Sequence, residues 1–293
     1  MNHERSQHEQ DKETIRIGRI NYTNVWPMFY HFNPKLQTAR VEMIPAVPAT
    51  LNKAMKEGSI DMGPISSFAY GVSSDSYALF PDLSVSAKGK VNSILLFLKK
   101  PLSEVLKGKI ALTTTSATSI NLLKIIVAKH YQASPEYLSM EPVLEQMMAA
   151  ADGALLIGDH AIRAYWDNVQ NPKYEVMDLC ESWHDWTGEW MTFAVWAVRK
   201  DIVERCPVEI REIVDAFEAS KQLSIANPES LVQEAVKQIG GTAQYWRYYF
   251  AGLNHDFGSA QQRGLQLYFE YAYELGLIDH EVRLDIWSEN TVG

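Results

Sequence analysis

Residues 110–119 read Ile110-Ala111-Leu112-Thr113-Thr114-Thr115-Ser116-Ala117-Thr118-Ser119, an apolar run that breaks into hydroxyls where an amphipathic stretch, Ser119–Lys129, begins. A short apolar strand, a polar turn and a helix opening on Ser or Thr make one strand–helix unit. The unit recurs along the chain. Ile60-Asp61-Met62-Gly63-Pro64-Ile65 runs into Ser66-Ser67, and Ala154–Ile157 runs into Gly158-Asp159-His160. Ile15–Ile20 alternates like a strand and meets the turn-rich Asn21–Pro27. Val41–Pro45 reads as a further strand, followed by a helix over Val47–Met55 that Gly58 stops. Alternation of this kind predicts an α/β fold, with parallel or mixed sheets flanked by helices.

Two runs, Ser93–Leu98 and Thr192–Val198, are apolar throughout and suit crossovers between two lobes. At 293 residues a single core begins to divide. The expected division is a first lobe of 15–97 plus 198–293 and a second of 98–197. Beyond Asp201 the chain reads as helical, over 208–227, 228–239 and 258–275.

Lys and Arg number 27 against 36 Asp and Glu, a net charge of −9. Nucleic acids and anionic membranes reward basic patches, so neither is an expected partner. An anionic ligand would need local donors. Only Cys180 and Cys206 occur, which argues against a disulfide framework or a Cys-rich metal site and fits a reducing compartment. Residues 1–14 are almost wholly polar and read as a disordered tail without signal-peptide character. No apolar run approaches a membrane span, so a cytoplasmic location is expected.

Open α/β sheets bind ligands where strand carboxyl ends meet helix N-termini. Four loops qualify. Residues 113–119 carry six hydroxyls in seven positions, more than capping requires, which points to a carboxylate or phosphate cradle. Ser66 and Ser67 sit in a similar turn, where capping alone would account for them. Asn24 lies in the loop before Trp26-Pro27 and reads equally as a cap or a ligand contact. Asp159 and His160 follow a strand end, with a helix cap as the commoner role for Asp159. Trp183-His184-Asp185-Trp186 reads either as buried aromatics or, through Trp186, as a flat wall against a cyclic ligand. The histidines show no metal-ligand spacing, and neither a phosphate-binding Gly-rich loop nor a G-x-S-x-G elbow is present.

Taken together these segments resemble the chorismate dehydratase family of the futalosine route to menaquinone. The likeness rests on Arg16–Asn24, Gly58–Asp61, Ile65–Ser67, Val91-Asn92-Ser93, Thr115–Ser119, Ile157–Ala161 and Asp178-Leu179…Trp183…Trp186-Thr187-Gly188…Phe193–Trp196, in family order over about residues 15–198. The chain departs from the family at Glu189-Trp190-Met191, where Leu-Pro-Phe is usual. The resemblance implies a two-lobed fold like type II periplasmic binding proteins, with the ligand cleft between lobes. It implies dehydration of chorismate, a dianion, to 3-[(1-carboxyvinyl)oxy]benzoate, with no metal or redox cofactor. Aromatisation would drive the elimination. By the same resemblance Asn24 and Ser93 would lie near the reacting edge. Ser66, Ser67, Thr115, Ser116, Thr118 and Ser119 would bind carboxylates, with Arg19 a counter-charge or a structural ion pair. The base stays open among Asp159, His160 and a carboxylate of the substrate itself. The alternatives are the sister enzyme forming 1,4-dihydroxy-6-naphthoate and a non-catalytic small-carboxylate-binding protein.

Overall fold

A computed structural model describes residues 13–288. The expected tail at 1–14 therefore lies, up to residue 12, outside the described residues.

Ten strands form two five-stranded mixed sheets. The first contains β1 (Thr14–Ile20), β2 (Arg40–Ala46), β3 (Met62–Ser66), β4 (Tyr77–Ala87) and β10 (Met191–Arg199), in the order β2-β1-β3-β10-β4. The second contains β5 (Ile94–Leu98), β6 (Lys109–Thr113), β7 (Glu136–Met140), β8 (Gly153–Ile157) and β9 (Glu175–Asp178), in the order β7-β6-β8-β5-β9. Each sheet starts with three parallel strands. In each, the fourth strand runs antiparallel and belongs to the segment that has just crossed from the other sheet: β5 pairs antiparallel with β8 and β9, β10 with β3 and β4. Both apolar runs of the sequence are thus interior strands covered on both faces, which is why they show no polar alternation.

Two expectations change. The sequence reading placed no strand over Tyr77–Ala87. Pro81 and Asp82 interrupt it, Asp82 takes a positive φ of 55°, and the register against β10 shifts nearby. The tryptophan-rich stretch, which reads from the sequence as a loop near the hinge, is helical. Leu179–Thr187 is a helix capped by Asp178, which accepts from the Cys180 and Glu181 amides, and it stops at Gly188 with φ 75°. Glu189 and Trp190 then pack on the C-terminal helix Ser259–Glu274. A Cβ on Gly264 would come within 2.1 Å of the Trp190 carbonyl, so only glycine permits that approach. The departure from the family pattern at 189–191 is accommodated there.

Buried residues of both sheets and of the helices packed on them, among them Ile17, Val195, Leu155 and Phe217, form one contiguous core. A smaller cluster around Phe97, Met147 and Leu156 fills the second sheet's other side. No helix of the described residues is long and apolar enough to cross a membrane.

Candidate active site

The carboxyl ends of β1, β3, β6 and β8 face one another across a cleft of about 50 Å³. Its lining combines Tyr22 and Asn24 after β1, Ser66 at the end of β3, Ser93 before β5, Ser116 and Ser119 after β6, and Gly158 after β8. Ile20, Pro48, Ile94, Ile157, Phe193 and Ala194 supply the apolar walls. No charged side chain is among them.

Two of the serine hydroxyls act as acceptors toward the protein. Ser66 Oγ accepts from the Asn52 amide at 3.0 Å and from the Ala69 N–H at 3.1 Å. Ser116 Oγ accepts from the Ser119 N–H at 3.1 Å. Each of these hydroxyls has its own proton to give. Ser93 Oγ accepts from the Tyr249 phenol at 3.3 Å and donates to the Val91 carbonyl at 3.4 Å, so it is held on both sides. Free hydroxyl donors suit an anion. Burial pushes the Tyr22 phenol up while the Thr115 hydroxyl pulls it back, so the phenol stays protonated. One further atom, Asn24 Oδ1, is buried without a hydrogen-bond partner. Such an orphan is uncommon in a buried position, and at a cleft it is open to a ligand.

Asn24, Ser66, Ser93, Ser116 and Ser119 come together at this cleft. The other candidates do not. Arg19 is exposed, with its guanidinium over the Phe29 ring at 5.6 Å, so it is no counter-charge in the cleft. Ser67 donates to the Thr192 carbonyl at 2.8 Å, and Thr118 Oγ1 accepts from the Phe68 N–H at 3.0 Å. Thr115 pairs with Thr113 at 2.8 Å. His160 is exposed, set edge-on to Tyr22 and turned into a surface groove. Trp186 stacks on Tyr271 with centroids 5.3 Å apart, and is no wall for a ligand. Asp159 accepts from the Thr23 hydroxyl at 2.6 Å; burial pushes its carboxyl up while Thr23 pulls it back. Capping and packing claim these residues.

Three supporting residues stand outside the candidate list, although Asp178 lies in a segment that carries the family likeness. Asp178 accepts from the amides of Val91 and Asn92 at 3.0 and 2.7 Å, fixing the crossing segment that delivers Ser93. Tyr249 is fully buried behind Ser93, and His255 reaches the Asn24 carbonyl at 2.9 Å. The last two lie in the helical C-terminal third, far from any strand-end loop. Among the described residues no group of three or more His, Cys, Asp or Glu side chains converges as metal ligands would.

A solved structure from Archaeoglobus fulgidus matches the fold with a TM-score of 0.75 over 90% of this chain and 98% of that one, at 21% identity. The periplasmic aliphatic sulphonate binding protein of Escherichia coli matches with a TM-score of 0.65 over 95% and 93%, at 17% identity. The fold is therefore that of the periplasmic binding proteins. In sequence, the chorismate dehydratase of Thermus thermophilus is 32% identical over 266 residues, 87% of this chain and 93% of that protein. The chorismate dehydratase of Campylobacter jejuni is 29% identical over 201 residues, 65% and 73% respectively. A family model described as menaquinone biosynthesis matches residues 15–274, and the chain belongs to that family.

Proposed function

We propose that this protein is a chorismate dehydratase, converting chorismate to 3-[(1-carboxyvinyl)oxy]benzoate by loss of the C3 proton and the C4 hydroxyl as water. The observation that carries the reading is the set of uncharged donors at the cleft. Ser66 and Ser116 accept from protein donors and have protons left for carboxylates. Hydrogen bonds to a charged group are worth about 1.5–3 kcal/mol each, enough for several to hold a dianion in a site without cations. Asn24 offers an unpartnered oxygen to orient the C4 hydroxyl and an N–H₂ to donate as it departs.

No carboxylate, imidazole or amine lines the cleft, and Asp159 is already engaged by Thr23. The C3 proton therefore goes to one of the substrate's own carboxylates. The protein's part is to hold the ring in an elimination-ready conformer and exclude water. Ligand pockets usually measure roughly 300–1,000 Å³, so admitting the substrate to a cleft of about 50 Å³ requires the lobes to part. We take residues 15–97 with 198–293, and residues 98–197, as approximately the parts that separate. The two free buried cysteines support a reducing, cytoplasmic setting.

Purified protein incubated with chorismate alone, followed by chromatography and mass spectrometry, tests the reading. The benzoate should accumulate. Binding without turnover would instead make it a carboxylate-binding protein.

A further inference from the structure

We infer that His255 is the positioning residue of Asn24, holding its main chain so that its side chain meets the reacting edge of the substrate; the inference rests on the dehydratase reading. His255 lies between the helices Ala243–Gly252 and Ser259–Glu274, is 3% exposed, and places Nε2 2.9 Å from the Asn24 carbonyl oxygen, 231 residues away. A carbonyl only accepts, so Nε2 carries the proton and the ring is the Nε2–H tautomer. Burial, aided by the Lys221 charge, lowers the ring to about 4, which keeps it neutral near pH 7.

The main chain that carries the ring is anchored independently of the cleft. The His255 carbonyl accepts from the Ser84 N–H at 3.0 Å, and neighbouring Asn254 bridges Ser86 on the same strand, β4. Lys221, itself 2% exposed, donates to Asp256 at 2.9 Å and to the Asp82 carbonyl at 2.6 Å. Those bonds fix the loop against the first sheet. On the other side of Asn24, the Thr23 hydroxyl is held by Asp159 of the second sheet's helix. Asn24 is thus gripped by its backbone from one direction and through its neighbour from another, while its Oδ1 stays without a partner in the cleft. A residue needed only to fill core would be cheaper as Leu or Phe, because a buried imidazole must be desolvated. What the imidazole adds is one directed bond to the residue facing the substrate. A displacement of about 1 Å at such a residue costs on the order of a hundredfold in rate.

The test compares wild type, His255→Gln, whose amide nitrogen reaches about as far as Nε2, and His255→Leu. In His255→Leu, kcat for chorismate should fall roughly tenfold or more with KM within about twofold. Amide hydrogen exchange in the peptide spanning residues 21–26 should rise in the same variant. In His255→Gln both should stay near wild type. Unchanged kcat and exchange in His255→Leu would overturn the inference, as would a Gln variant impaired as much as the Leu one. Should the Leu variant not fold, ¹⁵N-histidine NMR of the wild-type protein decides. The Nε2–H tautomer at His255 is expected, and an Nδ1–H ring could not donate to Asn24. Exchange and tautomer are read without turnover, so a protein that failed to consume chorismate would sink the dehydratase reading and leave these two readouts standing.

Discussion

Thr23 and Asp159, 136 residues apart, meet across the cleft: the threonine hydroxyl donates to the aspartate Oδ1 at 2.6 Å, with both residues buried. The bond ties the loop after β1 of the first sheet to the helix Gly158–Gln170 that follows β8 of the second. It also engages the carboxylate that the helix after β8 brings beside Thr23. On the proposed reading, this carboxylate serves as a clasp between that loop and that helix and not as the base.

Asp159→Asn should therefore keep kcat within about fivefold of wild type, since the amide oxygen can still accept from Thr23. General-base catalysis contributes roughly a hundredfold or more. A loss of that size, measured in steady-state turnover of chorismate, would return Asp159 to the catalytic list.

Ser116 and Ser119 should part company on substitution. Ser116 Oγ caps the Ser119 N–H, whereas Ser119 contributes its side chain to the cleft lining. Ser116→Ala should lose about 1 kcal/mol of stability and also raise KM. Ser119→Ala should raise KM, by tenfold for about 1.4 kcal/mol of lost binding, with an unchanged melting temperature. The check is kinetics and thermal unfolding on both variants. Equal melting temperatures would show that the cap carries no weight.

Gly158 has φ 55°, and a Cβ there would meet three atoms of the Tyr22 ring at 2.9–3.1 Å. Gly158→Ala combines left-handed backbone strain with a clash against the Tyr22 ring. It should cost about 2 kcal/mol, read as a lower urea midpoint at unchanged slope. An unaltered midpoint would mean that Tyr22 moves aside freely.

Much of this was readable in the sequence because strand–helix units advertise themselves locally. The apolar runs at 94–98 and 192–198, and the serines at strand ends, identify both the sheets and half the cleft. Antiparallel placement of β5 and β10 was not readable, since a strand buried on both faces looks the same in either direction. Neither Arg19 nor Trp186 could be told from cleft residues by type alone; exposure beside Phe29 and stacking on Tyr271 are tertiary facts. His255 and Tyr249 arrive from the C-terminal helices with no motif, so only folding brings them behind Asn24 and Ser93.

The depressed His255 also has a consequence for acid stability. Between about pH 6.5 and 4 the unfolded chain binds a proton at this site that the folded protein refuses, so stability falls as pH drops through that window and is fully present above it. Burial and Lys221 drive the depression, while the Asn24 carbonyl and Asp256 oppose it. The effect is of order 3 kcal/mol at most. Across this window His255→Gln should lose less stability than wild type in urea titrations. Parallel losses would show that the ring is protonated in the folded state.

Asn24 bears the central claim most directly. Its Oδ1 has no partner to lose, so Asn24→Leu should leave the melting temperature unchanged or slightly higher. The measurement is conversion of chorismate to the benzoate by wild type and Asn24→Leu side by side, each with a thermal melt. The expected result is turnover by wild type and a fall in kcat of about a hundredfold or more in the folded variant. Wild-type turnover in Asn24→Leu, with a lowered melting temperature, would contradict it.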